Sequence, residues 1–173
     1  MSVFSQKDHS LIEKIKVKEE TKQYVTSVVM NQKYIFAGLQ HGKIYVYNRN
    51  DFSLKIVLEQ HKSYVLGMFH LDGILASVSS SPCSTLCLWD TENNFSLVNS
   101  VKLGNEGLRK VWLDHFKILA LGRQGTLFVL DPKLHLLREI KVEDKSLRDV
   151  YIEDNFAHIA SRSGFYSLEI LEN

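Results

Sequence analysis

Four arginines recur in matched places along the chain. Arg109 and Arg148 each follow the first apolar residue of a strand-like run, LRKVWL and LRDVYI, while Arg123 and Arg162 each stand two residues before a glycine, Gly125 and Gly164. A guanidinium is a planar fork that donates paired, charge-assisted hydrogen bonds, so a cluster of them suits phosphate or carboxylate. The competing use is in solvated ion pairs: Arg109 with Asp149 or Glu106, Arg148 with Asp144, and Arg162 with Glu143. Such pairs contribute only about 0–1 kcal/mol each. Other reactive side chains are scattered. The seven histidines, at 9, 41, 61, 70, 115, 135 and 158, lack HExxH-like spacing, and no GxGxxG or P-loop string occurs. Two cysteines, Cys83 and Cys87, are too few for a tetrahedral zinc site or a disulfide framework and read as a core or surface thiol pair. The expectation is therefore a protein with no enzymatic activity, no cofactor and no metal.

The elements that must position the arginines repeat as well. KIYVYN (43–48), LCLWD (86–90) and TLFVLD (126–131) alternate apolar and other residues and end in Asn or Asp, their last residues 42 and 41 apart. A weaker fourth copy is YSLEIL (166–171), and the preceding glycines keep the phase, Gly42 to Gly125 being 83 residues and Gly125 to Gly164 being 39. Each unit also holds a short outer element (Ile15 to Val17, Ile56 to Leu58, Val101 to Leu103, Ile140 to Val142). An inner strand follows (VTSVVM, VLGMFHL, LRKVWL, LRDVYI), then a third (YIFAGL, ILASVS, KILALG, FAHIAS). Alternation over four to seven residues between Gly, Asn, Asp and Ser is the signature of strands, so each unit reads as a four-stranded meander. The units run over about 11–48, 52–90, 95–131 and 135–171, after a polar, loose segment at 1–10.

Four-stranded units at this period, with His61-Lys62-Ser63-Tyr64-Val65 leading into an inner strand and Trp89-Asp90 leaving the last, resemble WD40 repeats of a β-propeller. The other units read Tyr47-Asn48, Leu130-Asp131 and Ile170-Leu171 where the second has Trp-Asp. The resemblance implies an all-β propeller of four WD40-like blades, and a structural network in which His61, Ser77, Trp89 and Asp90 take part. The turn Asp of that network is replaced by the insertion SSSPCS (79–84). The insertion holds Ser81-Pro82, the minimal context of a proline-directed phosphorylation site, although a polar surface loop is the simpler reading.

In such a propeller the starts of the inner strands and the turns between the third and fourth strands open on one face near the axis. Arg109, Arg123, Arg148 and Arg162 then resemble, in the last two repeats, the arginines with which F-box-type WD40 substrate receptors bind phosphorylated degrons. Thr26, Leu66 and Gln40 fill the matching places of the first two units, so an anion pocket would be one-sided. With no F-box-like helical segment ahead of the repeats, a ubiquitin-ligase role would come through another subunit. The phase also implies that the last blade lacks its outer strand. Rings of this family carry about seven blades, so four blades either close on themselves or are completed by another chain, by a second copy making eight or by a different partner.

The chain has 173 residues, 21 Lys plus Arg against 20 Asp plus Glu, and 45% hydrophobic residues. That is globular composition for one domain able to bury its own core. Near-neutral charge removes the broad basic field that non-specific nucleic-acid binding needs. No stretch approaches the roughly 18 apolar residues of a membrane-spanning helix, and the N-terminal MSVFSQKDHS carries charge where a signal peptide would be apolar. The expectation is a cytoplasmic or nuclear, non-enzymatic protein-binding scaffold, its partner a protein or phosphopeptide, with a homodimer or multi-subunit complex as assembly and neither membrane nor nucleic acid as ligand. The alternative is a structural subunit whose open propeller is completed by a partner, with no peptide pocket.

Overall fold

The computed structural model describes residues 2–4, 11–14, 24–143, 147–153 and 155–170. Every regular element among them is a β-strand. β1 (Ser2–Phe4) and β2 (Leu11–Lys14) form a two-stranded antiparallel sheet. Then come β3 (Val25–Met30), β4 (Tyr34–Leu39), β5 (Lys43–Asn48) and β6 (Leu54–Glu59), hydrogen-bonded in that order as blade 1. Blade 2 comprises β7 (Val65–Leu71), β8 (Ile74–Ser79), β9 (Thr85–Asp90) and β10 (Ser96–Lys102). Blade 3 comprises β11 (Leu108–Leu113), β12 (Ile118–Gly122), β13 (Thr126–Leu130) and β14 (Leu136–Lys141). β15 (Leu147–Glu153), β16 (Phe156–Ser161) and β17 (Phe165–Glu169) make the three-stranded blade 4. Each blade thus joins the last three strands of one sequence repeat to the first strand of the next. Ahead of blade 1, Leu11–Lys14 is paired with β1, and the outer element Ile15 to Val17 lies outside the described residues.

Period-two alternation lets each blade bury both faces. Phe36, Ile44 and Val46 of blade 1 pack against Val65, Leu75, Cys87 and Trp89 of blade 2. The other face of blade 2, with Ala76, Val78, Leu86 and Leu88, meets Leu108, Val111, Ala120 and Phe128 of blade 3. Leu119, Leu121, Leu127 and Val129 of blade 3 meet Leu147, Val150, Ala157 and Ile159 of blade 4. Fully burying a Leu, Ile, Val or Phe side chain stabilises by about 1.5–3 kcal/mol, so these three seams are the core. The inner strands β3, β7, β11 and β15 are neighbours in that order, and among the described residues no comparable packing joins β15 back to β3.

The two ends of this arc are unlike. On blade 1, Ile35, Ala37, Leu39, Tyr45 and Tyr47, on the side away from blade 2, are buried as a separate cluster. On blade 4, the register positions of Leu119, Leu121, Leu127 and Val129 carry His158, Ala160, Phe165 and Ser167. His158 Nδ1 and Ser167 Oγ are 2.9 Å apart, the His158 ring stacks on Phe165 at 5.7 Å, and Phe165 and Tyr151 are 68% and 63% exposed. Two of four apolar places have become polar, which suits a face that meets water.

One irregularity recurs. In β3, β7, β11 and β15 the pairing with the next strand skips one residue directly after the first: Thr26, Leu66, Arg109 and Arg148. These are β-bulges, which add twist and turn one side chain out of the alternation. Beside the bulge in β7, the inner strands of blades 2 and 3 come together at Gly67, where a Cβ would lie 2.7 Å from the Arg109 carbonyl oxygen and 2.9 Å from Lys110 Cα. Both obstacles are backbone. Gly67→Ala is therefore expected to destabilise by about 1–3 kcal/mol in urea melts. Gly164→Ala, which meets nothing within 4 Å, should change stability by less than about 1 kcal/mol.

Candidate functional site

The start of each inner strand and the turn after the next strand lie at one end of the blade because a backbone hydrogen bond ties them. Gln40 N–H donates to Tyr24 O (3.2 Å), Ser80 N–H to Tyr64 O (2.9 Å) and Arg123 N–H to Gly107 O (3.0 Å). That places Arg123, on the β12–β13 turn, at the same end as the bulge residue Arg109. Arg148 holds the equivalent bulge in the next blade. In blade 1 the bulge residue reaches forward, Thr26 Oγ1 lying 2.7 Å from the carbonyl of Val65, where β7 begins. Ser27 Oγ donates to the same oxygen at 2.7 Å. This position is one from which a side chain can bridge to the following blade.

Arg109 feels two of the other three arginines. Burial lowers the pKa of Arg109 from its ordinary value, and the positive charges of Arg148 and then Arg123 lower it further. The guanidinium stays charged at any physiological pH, so the site concentrates like charge. Arg109 Nε is buried and has no hydrogen-bond partner. Arg123 Nη1 donates to Ser80 Oγ at 3.2 Å, across the seam with blade 2. Asp149 is 3.6 Å from Lys110, and Glu106 Oε2 accepts the Gln124 N–H at 2.6 Å while Glu106 Oε1 lies buried and unpartnered against Gly122. Among the described residues no carboxylate is within ion-pair distance of Arg109, Arg123, Arg148 or Arg162. Arg162 is exposed on the β16–β17 turn and is not among the charges that act on Arg109. Ser80 is the site residue that the sequence reading missed; its signal was the insertion, whose first residues continue β8 towards blade 3.

The other group of predicted residues is structural. His61 Nε2 and Ser77 Oγ are 2.7 Å apart, Trp89 Nε1–H donates to the same oxygen at 2.9 Å, and His61 is 6% exposed. Cys87 Sγ lies 3.9 Å from His61 Nδ1. Ser77 Oγ, with one proton and two lone pairs, bridges Trp89 and Nε2, and the other ring nitrogen, Nδ1, faces the Cys87 thiol. A buried cysteine thus stands beside the ring nitrogen. Asp90 lies apart: its Oδ1 accepts the Glu92 and Asn93 N–H groups and caps the β9–β10 turn. Burial pushes the His61 pKa down to about 4 and the Cys87 thiol up to about 12, so both are neutral and neither is poised for catalysis. Cys83 is half-buried, and no group of three metal-ligating side chains comes together among the described residues.

No protein-family model and no curated protein matches this sequence. Solved structures do share the fold. The computationally designed Ika4 protein superposes with a TM-score of 0.78 at 18% identity, over 88% of this chain and 94% of that one. The designed Ika8 protein gives 0.74 at 15% identity, over 84% and 46%. A chain of the Mitotic Checkpoint Complex gives 0.82 at 14% identity, over 98% and 54%. The present chain spans about half the length of the last two. With its successive antiparallel meanders packed face to face, it is a β-propeller protein.

The His61 pKa carries a stability consequence. Its native value of about 4 lies below the ordinary 6.5, so between those pH values the unfolded chain binds the proton that the folded chain refuses. Stability is full above pH 6.5 and declines as pH falls towards 4, by on the order of 3 kcal/mol from this group. His61→Ala should be less stable at neutral pH by about 1–3 kcal/mol and should lose that part of the pH dependence. Urea melts of both proteins at neutral pH and near pH 4.5 measure the difference.

Proposed function

We propose that this chain is a non-enzymatic, WD40-type protein-interaction scaffold, and that the face bearing Arg109, Arg123 and Arg148 takes a phosphorylated or acidic peptide. The observation that carries the reading is the buried Nε of Arg109, without a hydrogen-bond partner, under the charges of Arg148 and Arg123, with no carboxylate within ion-pair distance among the described residues; Asp144, the expected partner of Arg148, lies outside them. Like charges held together without a counter-charge raise each other's energy, and a phosphate with three acceptor oxygens relieves both the repulsion and the missing hydrogen bond. Arg162 has a peripheral part in this reading.

A doubly phosphorylated acidic peptide should bind better than its unphosphorylated version, and binding should weaken with salt, surface charge being screened within about 8 Å at physiological ionic strength. Arg109→Ala or Arg148→Ala should cost at least about tenfold in affinity, and Arg148→Ala should leave the thermal midpoint within about a degree, because an exposed guanidinium contributes little to folding. Lysine at either place should restore part of the loss, a point charge replacing a fork. Calorimetric titration measures the affinities and thermal melts the midpoints. Equal affinity for the two peptides overturns the reading.

A second reading is favoured by the other end of the arc. Among the described residues β17 pairs with β16 alone, and Tyr151 and Phe165 stand exposed on blade 4. An unpaired edge next to exposed aromatics suits a subunit whose propeller is completed by a neighbour. In that case a stable complex survives replacement of all the arginines.

A further inference from the structure

The loop between β8 and β9 is pinned to both neighbouring inner strands at the arginine-bearing end. Ser63 Oγ donates to Ser81 O at 2.9 Å, ahead of β7. On the other side Leu103 N–H donates to Ser84 O and Gly107 N–H to Ser84 Oγ, each at 2.9 Å, ahead of β11. Gly107, at φ 80°, lies so close that a Cβ there would be 2.5 Å from Ser81 N. Ser80 is buried and accepts from Arg123, whereas Ser81 and Pro82 are exposed. A hydroxyl therefore faces solvent from a braced loop, one residue from a serine that an arginine of the candidate site already touches.

We propose that Ser81 is a phosphorylation site whose phosphate occupies the arginine face in cis and so competes with the phosphopeptide; this rests on the peptide reading given above. The reaction is phosphoryl transfer from ATP by a protein kinase that selects serine before proline. Ser81 Oγ forms the new bond to the γ-phosphorus, the bond to the bridging oxygen breaks, ADP leaves, and the hydroxyl proton passes to the kinase's base. The product carries a charge of about −1.5 to −2 and three acceptor oxygens at neutral pH. Arg123 then exchanges a neutral hydroxyl for a charge-assisted bond. Arg109 and Arg148, whose charges already act together with that of Arg123, lose their repulsion. A tethered ligand of this kind acts at an effective concentration on the order of millimolar, well above that of a free peptide.

The test uses the full chain with phosphoserine installed at position 81 during synthesis. Phosphorus NMR should give a second phosphate pKa lower, by about half a unit or more, than that of the same phosphoserine in an isolated loop peptide. Arg123→Ala should bring it back. A value equal to the peptide's and indifferent to Arg123→Ala overturns the proposal. Affinity for the doubly phosphorylated peptide should fall at least about tenfold on modification, with Ser81→Ala binding like the unmodified chain; unchanged affinity overturns the competition. The phosphorus signal reads the cis contact with no peptide present. Lack of peptide binding by the unmodified chain therefore overturns the peptide reading, while a shifted phosphate pKa still supports the contact. Incubation with a serine-proline-directed kinase and ATP, read by mass spectrometry, should modify Ser81 in the folded protein and nothing at that position in Ser81→Ala. Modification confined to the urea-unfolded chain overturns the site.

Discussion

A bulged residue directly after the first position of each inner strand sets both the packing and the site. Without it, residues at the start of β11 and β15 would continue the alternation and fall on a blade face, where apolar side chains close the seam. With it, one residue per blade leaves the sheet's two faces, and the strand gains twist where it must lie against the next one. Thr26 uses the freedom to tie blade 1 to the Val65 carbonyl, whereas Arg109 and Arg148 place guanidinium groups where charge accumulates. One backbone feature thus serves cohesion early in the chain and electrostatics late in it. The result is a group of cations with no carboxylate within ion-pair distance among the described residues.

The seam between blades 1 and 2 shows how a degenerate repeat keeps its packing. Ser77, Trp89 and His61 satisfy each other's polar atoms inside an apolar cluster that includes Phe36, Leu75 and Cys87. A thiol beside Nδ1 does not require ionisation, so the network holds neutral groups in a dry place and avoids the desolvation cost of a buried carboxylate. The β8–β9 connection braces the seam with blade 3 through Ser84.

Strand positions were legible because alternation and turn residues act locally: VTSVVM, YIFAGL, KIYVYN and FAHIAS are strands at the limits the sequence suggests. The partner of β2 was not, because Ser2–Phe4 lies in a polar N-terminal stretch with too few alternating residues to read as a strand. Arg109, Arg123 and Arg148 were found through their repetition, and three-dimensional structure adds that Arg162 stands outside their mutual field. The Cys87 contact with His61 and the bulges were illegible, since both depend on register between strands rather than on any residue's own preference. Ser80 was hidden for the same reason, its contact with Arg123 spanning 43 residues of chain.

The polar face of blade 4 has a consequence for how the molecule is assembled. Every strand pairing is between neighbours in sequence, and each seam joins consecutive blades, so the arc behaves as a one-dimensional stack. Among the described residues no packing comparable to the three seams joins blade 4 to blade 1, so the described contacts reward short loop closures rather than the longest one. In such a stack a middle blade is held from both sides and a terminal blade from one. The candidate arginine face draws on blades 3 and 4, so part of it belongs to the blade with only one described seam, and its cohesion tracks that of the Leu119–Leu127 seam.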